Sequence, residues 1–486
     1  MPFRPRKPSP KPKPKPSPSP SPNKRRTSWS DLWMKSPKSL NQVFFTMQLP
    51  SLPKGPKSPT IPSNRSNIDH TLVLSDEILL RILSMLPDTQ SLSNSLVCKR
   101  WFSLQGRLVR FLNIHDWGFI ESGRLMERFP NLTHVDLRRS CATYSLNSAI
   151  TLHHGDFSMH LNSGFSPIFR ILEENMLPVD VIDRGLKLLA GGCPNLCRLV
   201  VIGASRFGLM NVAEECLFLQ ELELHSCSDS ALRGIAGFRN LQILKLVGCV
   251  EGLYSELVSD IGLTVLAQGC KRLVRLELSG CEGSFDGIKA IGQCCPMLEE
   301  LTLCDHRMDG GWLAGLSYCE NLKTLRLQSC RAIDSNPGPD EYLGSCSALE
   351  SLHLQKCQLR DKRSMRAIFL VCSMVKEIVI QHCWGLEDEI FCLAIFCRRV
   401  RFLSLEGCSL LTTQGLQSVI LSWKELERLR VISCKSIKVS EISHNIVTLF
   451  SLLKDLKWRP DRRSLLDANL AGSGMGRKGG RFFKRT

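Results

Sequence analysis

The sequence predicts an α/β solenoid, a fold in which short strand–helix units stack side by side and share one core. An apolar-x-x-apolar-x-apolar-x-x-Cys pattern recurs eleven times between residues 132 and 434, most clearly at Leu273, Leu276, Leu278 and Cys281. From Leu273 onward successive copies begin 24 to 27 residues apart, and a fixed period of this length indicates a repeat architecture. One unit cannot bury its apolar face alone, so the units must stack.

Each unit supplies a strand and a helix. The apolar-x-apolar core alternates like a strand with one buried face. The stretch between cores has helical spacing, as in Ile261, Leu263, Leu266 and Ala267. This combination is that of leucine-rich repeats, about twelve of them in residues 113–458, with a closing half-unit at Trp458. The eleven full copies begin at Leu132, Leu196, Leu219, Leu241, Leu273, Leu298, Leu322, Leu349, Val375, Val400 and Leu426.

The cysteines follow the same grid. Sixteen of the 22 lie three residues before or after an apolar core, which predicts small buried side chains. A disulfide framework would need a secretory leader, whereas the N-terminus has Lys-Pro repeats. The Cys193/Cys197 and Cys294/Cys295 pairs lack the spacing of zinc sites. We therefore expect reduced structural cysteines, no metal, and residence in the nucleus and/or cytoplasm.

The positive charge belongs to the two ends of the chain. Residues 1–70 hold fourteen Lys/Arg against two Asp, together with sixteen of the 25 prolines, and should be disordered. Residues 459–486 form a basic Gly-rich tail, with eight Lys/Arg against two Asp, out of a formal net charge of +17. Lys24-Arg25-Arg26 and Arg477-Lys478 suit nuclear import, and the N-terminus also suits a transit peptide or a merely solvated tail. We expect neither specific nucleic-acid binding nor a membrane span.

Residues 71–112 predict a small helical module in front of the repeats. Ser75 can cap a helix that opens with Asp76-Glu77 and stops before Pro87. A second apolar stripe runs through Leu92, Leu96 and Val97. On these residues alone the module either caps the solenoid or docks on a partner.

Two segments of this module carry a family resemblance. Leu74-Ser-Asp-Glu-Ile-Leu-Leu-Arg-Ile-Leu-Ser-Met-Leu-Pro87, followed by Leu92 and then Val97-Cys-Lys-Arg-Trp101, resembles the F-box motif. An F-box before Cys-ended repeats resembles the F-box/LRR class of substrate receptors, and the layout looks plant-like. The resemblance implies a non-catalytic subunit of an SCF-type ubiquitin ligase. Its F-box would bind a Skp-family adaptor linked to cullin and RING subunits, and its repeats would hold a target for ubiquitin-dependent proteolysis.

The resemblance also assigns roles within the motif. Ser75 stands where the family usually has Pro, which weakens the first contact. Adaptor contact or the F-box core is implied for Leu74, Ile78, Ile82, Leu86, Pro87, Val97 and Trp101.

The side chains between the buried strand residues predict a second interface. They face the concave side of the solenoid, where four of them fall in one column of adjacent repeats. Amides in such a column can both donate to and accept from an extended peptide. The alternative is a solvated polar face. The residues expected to bind the target are Arg326, Gln328, His353, Gln355, Gln381, Phe402, Glu406, Arg428 and Arg430.

Two insertions interrupt the period. The longer one, at about 138–180, alternates around His153-His154-Gly155-Asp156 and predicts a hairpin or flap, a competing site for the target. The shorter one is Val250–Val258. The histidine pair in the flap suits a turn better than a metal site.

No enzyme motif is present, and no catalytic residue or cofactor is predicted. The sequence lacks a Gly-x-x-x-x-Gly-Lys loop, a Gly-x-Ser-x-Gly elbow and a His-Glu-x-x-His helix. Two other functions stay open: a scaffold without ligase function, and a small-molecule co-receptor like some plant relatives, which bind a hormone and an inositol phosphate. A polyphosphate needs several paired cations, but Glu and Gln are interspersed among the arginines here.

Overall fold

A computed structural model describes residues 70–141, 176–248 and 257–460. Outside the described residues lie nearly all of the two basic tails, residues 142–175 of the insertion predicted at about 138–180, and residues 249–256 with Cys249.

The helices and strands alternate along the described chain. The α-helices are α1 Asp76–Ser84, α2 Ser91–Ser95, α3 Lys99–Leu108, α4 Gly118–Glu121, α5 Arg124–Arg128, α6 Val179–Gly192, α7 Arg206–Glu215, α8 Asp229–Leu232, α9 Asp260–Gly269, α10 Phe285–Cys294, α11 Trp312–Gly315, α12 Lys362–Val371, α13 Asp388–Phe391, α14 Thr413–Ile420 and α15 His444–Leu452. The strands are β1 Phe111–Asn113, β2 His134–Asp136, β3 Arg198–Ile202, β4 Glu221–His225, β5 Ile243–Val247, β6 Arg275–Ser279, β7 Glu282–Gly283, β8 Glu300–Cys304, β9 Arg307–Met308, β10 Thr324–Gln328, β11 Ser351–Gln355, β12 Glu377–Gln381, β13 Phe402–Glu406, β14 Arg428–Ile432 and β15 Asp455–Arg459.

Local capping explains where the first helices begin. The Ser75 hydroxyl accepts a hydrogen bond from the backbone N–H of Ile78 at 3.4 Å, as the sequence predicts. Helix α3 begins after Cys98, whose Sγ accepts from the N–H of Trp101 at 3.4 Å. Both caps satisfy N–H groups that have no partner within the helix.

A single parallel sheet organises the repeats. In the described residues, thirteen strands pair in chain order, and β7 and β9 form a separate pair. The register sets Leu276 beside Leu301 and Leu278 beside Leu303, and the same alignment continues from repeat to repeat. The apolar strand residues therefore stack into continuous buried columns between the sheet and the helices. This topology is that of an α/β leucine-rich-repeat solenoid.

The structure adds two details to the sequence interpretation. Of the residues with helical spacing, Ile261 is 63% exposed, whereas Leu263 and Leu266 are fully buried. Strand β1 crosses the predicted boundary at residues 112 and 113 and already pairs with β2, so the helical module ends with α3. The short strand β1 was not predicted, because its sequence contains no complete copy of the repeat pattern.

Most strands are followed by a residue in the left-handed region. Gly203, Gly280 and Gly407 take this conformation, as do six residues with side chains: Ser226, Asp305, Ser329, Lys356, His382 and Ser433. The N–H of each of these residues donates to the last strand residue of the next repeat, as from Lys356 to the Gln381 carbonyl at 2.8 Å. The turn thus ends the strand while adding one more inter-repeat hydrogen bond.

The prediction that the cysteines of the repeat grid are buried is confirmed for the described residues. All fifteen described cysteines of the repeat grid are buried, and every described cysteine is free. Some thiols lie near backbone carbonyls of the preceding repeat, such as Cys397 Sγ, which donates to the Cys372 oxygen at 3.4 Å. Burial raises the pKa of the Cys397 thiol to about 12, so it stays protonated.

A carboxylate from one repeat caps the helix of the next. Asp260 in α9 accepts from the backbone N–H and the hydroxyl of Ser284 at 2.8 and 2.6 Å, and from the N–H of Gly287 at 3.0 Å. A Cβ at Gly287 would lie 2.3 Å from the Asp260 Oδ1 atom, so only glycine leaves room for the carboxylate. The same arrangement recurs in the pairs Asp183–Ser205, Asp229–Ser259 and Asp388–Thr412.

Replacing Gly287 with alanine is therefore expected to destabilise the solenoid, although alanine normally favours a helix. Displacing the Asp260 carboxylate should lower the free energy of unfolding by about 2 kcal/mol, in the range of overpacked sites. Gly191→Ala in α6 is the control, because no heavy atom lies within 4 Å of the added Cβ. Thermal unfolding followed by circular dichroism checks this, and equal melting temperatures for the two variants would contradict the role of Asp260.

Candidate interaction surfaces

The helical module has a very small core of its own. Leu79, Leu83 and Leu104 are its buried apolar residues, and four further side chains pack partly against them: Leu80, Leu86, Trp101 and Leu108. Such a core contributes little stability by itself. Helix α3 also contacts α5 at the start of the solenoid, so the module is attached to the repeats.

More apolar side chains of this module are exposed than buried. Val73 and Met85 are exposed by 82% and 72%. A cluster of exposed apolar groups on a short segment marks an interaction surface. We call it the module surface, and its apolar members are Leu72, Val73, Ile78, Ile82, Met85, Leu92, Leu96 and Val97.

The residues assigned by the F-box resemblance divide into two groups. Exposed are Ile78, Ile82, Pro87 and Val97, whereas Leu74, Leu86 and Trp101 are half-buried. Leu86 and Trp101 pack against the core of the module. The resemblance assigned no role to five of the exposed apolar residues: Leu72, Val73, Met85, Leu92 and Leu96. Of these, Leu92 and Leu96 belong to the second apolar stripe, which the sequence did indicate.

Arg100 fixes the start of the module surface. Its guanidinium donates to the Asp76 carboxylate at 2.7 Å and to the backbone carbonyls of Thr71 and Leu74 at 2.9 and 2.6 Å. These bonds tie the segment that carries Leu72 and Val73 to helix α3. The sequence placed Arg100 in the motif but did not predict these hydrogen bonds, because the acceptors lie more than twenty residues away.

The open face of the sheet is the face opposite the helices. The register places Gln328, Gln355 and Gln381 side by side, followed by Glu406, so the predicted column exists. Gln381 donates to the Glu406 carboxylate at 3.3 Å. The Gln355 amide has no side-chain hydrogen bond to any other described residue. Its donors and acceptor are therefore available to a ligand.

The predicted target-binding arginines are paired with carboxylates one or two strands away. Arg326 lies 2.7 Å from Glu300, and Arg430 lies 3.4 Å from Glu406. Arg428 pairs with Glu377 at 2.7 Å and stacks over the Phe402 ring at 4.6 Å. These arginines are oriented by the sheet itself, and the glutamates among them argue against a polyphosphate site.

His353 lies between these arginines as a neutral group. Burial, and then the positive charge of Arg326, lower the pKa of His353 to about 4. Its Nδ1 lies 3.4 Å from an Arg326 nitrogen, so the ring can accept a hydrogen bond there. The later repeats therefore present paired arginines, amides and a neutral imidazole in adjacent columns.

The early repeats hold a buried carboxylate on the open face. Glu223 in β4 accepts from His225 at 2.9 Å and lies within 4 Å of three cations: Arg138, Arg198 and Lys245. Burial alone would raise the pKa of Glu223, but the hydrogen bond from His225 and the surrounding positive charges outweigh it and lower the pKa to about 2. Charges from four neighbouring repeats thus meet at one residue.

The described residues include neither a metal-binding group of three or more His, Cys, Asp or Glu side chains nor a helix able to cross a membrane. A cavity of about 510 Å³ lies beyond the ends of β8 and β10, away from the open face. Its walls are formed by residues 305–309 together with Arg331, Ala332 and Ser335.

Two known proteins are similar to the chain in sequence. The chain is 27% identical over 338 residues to human F-box/LRR-repeat protein 12, a match covering 62% of this chain and 93% of that protein. It is 34% identical over 119 residues to F-box protein SKIP19 of Arabidopsis thaliana, covering 24% of this chain and 37% of that protein. These similarities support an F-box/LRR protein.

No protein-family model matches the chain. Among solved structures, a leucine-rich-repeat protein of Leptospira interrogans is 17% identical over 58% of this chain and 75% of its own, with a TM-score of 0.30. A complex of TLR13 with a single-stranded RNA is 12% identical over 75% of this chain and 53% of its own, with a TM-score of 0.43. The fold assignment rests on the sheet topology described above.

Proposed function

We propose that this chain is the substrate-recognition subunit of an SCF-type ubiquitin ligase. The observation that carries the proposal is the module surface, where eight exposed apolar residues surround a core of three buried ones. A surface of this kind needs a partner to cover it. The partner we propose is a Skp-family adaptor, which would link the chain to cullin and RING subunits.

The test is direct binding of the purified full chain to a purified Skp-type adaptor. Co-elution as a stoichiometric complex in size-exclusion chromatography is the expected result. A chain that elutes alone at micromolar concentration would favour the alternative in which the helices only cap a scaffold.

We further propose that a target protein binds on the open face of the later repeats. Adjacent strands lie about 4.8 Å apart, so the five strands from β10 to β14 span roughly 19 Å. Arg326, the unpaired Gln355 amide and Arg430 lie along this span. An extended segment of about six residues covers the same length. The chain would then promote ubiquitin transfer by bringing the target close to the ligase, without chemistry of its own.

Replacing Arg326 and Arg430 with glutamine should weaken target capture about tenfold while adaptor binding is unchanged. Proximity labelling in cells with the proteasome inhibited measures the capture. The control is Lys323→Gln with Lys376→Gln, because these lysines are also paired with glutamates, Glu299 and Glu350, but lie at the strand starts. An equal loss in both double variants would count against the open face.

A further inference from the structure

The loops that follow strands β10 to β12 form a surface separate from both interfaces above. We call it the loop edge and define it by Arg331, Lys356, Arg360 and Trp384. We propose that the loop edge binds an acidic peptide segment of a partner protein. This inference does not rest on the ligase proposal, because a scaffold would use the same surface.

Backbone hydrogen bonds hold these loops side by side. The N–H of Gln358 donates to the Cys330 carbonyl at 2.9 Å, and the N–H of Trp384 donates to the Cys357 carbonyl at 2.9 Å. The residue after each cysteine is therefore aligned across three repeats, and these residues are Arg331, Gln358 and Trp384. A row fixed by main-chain bonds is preorganised, so a ligand need not order it on binding.

Trp384 is the exposed aromatic group of the loop edge. It is 59% exposed, whereas the other five tryptophans of the described ranges are buried or half-buried. The Arg360 stem lies across the neighbouring Gly385, where a Cβ would come within 2.2 Å of the Arg360 Cγ. Gly385 has a φ of +79°, so the glycine permits both the turn and this contact. Trp384 and Arg360 therefore lie close together, and tryptophan and arginine are among the residue types enriched in binding hot spots.

The cations of the loop edge have no carboxylate partner. Arg331, Lys356 and Arg360 form no ion pair with any other residue in the described ranges. Some cations of the opposite edge are paired with glutamates, as Arg401 is with Glu425 at 3.0 Å and Lys454 with Glu427 at 2.8 Å. Arg331, Lys356 and Arg360 thus keep their positive charge uncompensated within the described residues. Carboxylates of a partner would complement it.

The cavity of about 510 Å³ extends the loop edge on the side of Arg331. Arg331 forms part of its wall, so an acidic segment paired with Arg331 could place a neighbouring side chain inside. Two acidic residues, Asp305 and Asp309, also line the cavity. The cavity therefore selects for a side chain that is not itself an anion.

These acidic residues favour a peptide over a nucleic acid. A nucleic-acid strand carries a phosphate about every 3.4 Å and would meet Asp305 and Asp309 as well as the arginines. Proteins that hold single strands also use a series of aromatic groups, whereas the loop edge offers Trp384 alone. An acidic peptide can place its carboxylates at the cations and an apolar residue on Trp384.

The test uses the full chain and a fluorescein-labelled peptide of alternating glutamate and phenylalanine, with binding followed by fluorescence anisotropy. Arg331→Glu with Arg360→Glu, and separately Trp384→Ala, should each weaken binding about tenfold or more. The matched controls are Arg398→Glu with Arg399→Glu, which change the same charge at the opposite edge, and Phe207→Ala, which removes another exposed ring. The controls should bind like the unaltered chain.

Two results would overturn the proposal. Equal weakening by the control variants would show that the peptide senses only the overall charge of the protein. A single-stranded oligonucleotide that binds more tightly than the peptide, and through the same residues, would assign the edge to nucleic acid. Circular dichroism of each variant verifies that the repeats are folded, as expected because all the changed side chains are exposed.

Discussion

Changing Ile78 and Val97 together to glutamate is expected to abolish binding of the proposed adaptor while the repeats stay folded. Both side chains are exposed, by 52% and 61%, and neither belongs to the core of Leu79, Leu83 and Leu104. In a complex, each new carboxylate would be buried without a partner, which costs several kcal/mol. The affinity should therefore fall by about a hundredfold or more, measured by titration calorimetry.

The matched control places the same changes on the outer helices of the repeats. Phe207 in α7 and Ile261 in α9 are exposed by 71% and 63%, so Phe207→Glu with Ile261→Glu adds the same charge at sites of similar exposure. This control should bind the adaptor normally. Adaptor binding that survives the change of Ile78 and Val97 would remove the module surface from the proposed function.

The fold could be predicted because one short pattern repeats. Leu276 and Leu278 fix a strand and Cys281 fixes its end, so each copy supports the interpretation of the others. The Asp260–Ser284 contact could not be predicted, because its partners belong to different repeats and neither residue is unusual by itself. Strand β1 was missed for a related reason, since it depends on pairing with β2.

The candidate surfaces were predictable only in part. The column Gln328, Gln355 and Gln381 follows from the register of equal repeats, and the structure shows it. That Arg326 is already paired with Glu300 could not be foreseen, because an ion pair across strands depends on side-chain conformation. The exposure of Trp384 could not be predicted either, since tryptophan side chains are highly buried on average. The sequence therefore predicted which side chains align in columns on the open face. It did not predict which of those side chains have no partner within the protein and are available to a ligand.

The second large effect is expected at Glu223, whose charge contributes to the stability of the fold. Its carboxylate is buried on the open face and lies among Arg138, Arg198 and Lys245. The pKa of Glu223 is lowered from 4.5 to about 2, so the folded state holds the charged form more strongly than the unfolded chain does. A shift of this size corresponds to about 3 kcal/mol of stability at neutral pH. Removing the charge would weaken the hydrogen bond from His225 and take away a carboxylate shared by the three cations, each of which keeps one other partner, Asp136, Glu221 or Glu277.

Glu223→Gln is therefore expected to lower the free energy of unfolding by about 3 kcal/mol at pH 7. Because the folded pKa of Glu223 is depressed, its contribution is complete above pH 4.5 and is lost as the pH falls toward about 2. The variant should consequently show a weaker loss of stability across that window than the unaltered chain. Urea unfolding midpoints measured from pH 7 to pH 2 test both statements.

Glu277→Gln supplies the comparison, because Glu277 pairs with the same Lys245 at 3.0 Å but keeps 27% of its side chain exposed. A partly solvated pair of this kind contributes about 1 kcal/mol or less. If the free energy of unfolding falls equally in the two variants at pH 7, the burial of Glu223 does not strengthen its ion pairs. We expect instead that only Glu223→Gln is strongly destabilised and that its free energy of unfolding depends less on pH between 4.5 and 2. That result would show that the buried Glu223 carboxylate stabilises the contacts among four early repeats on the open face.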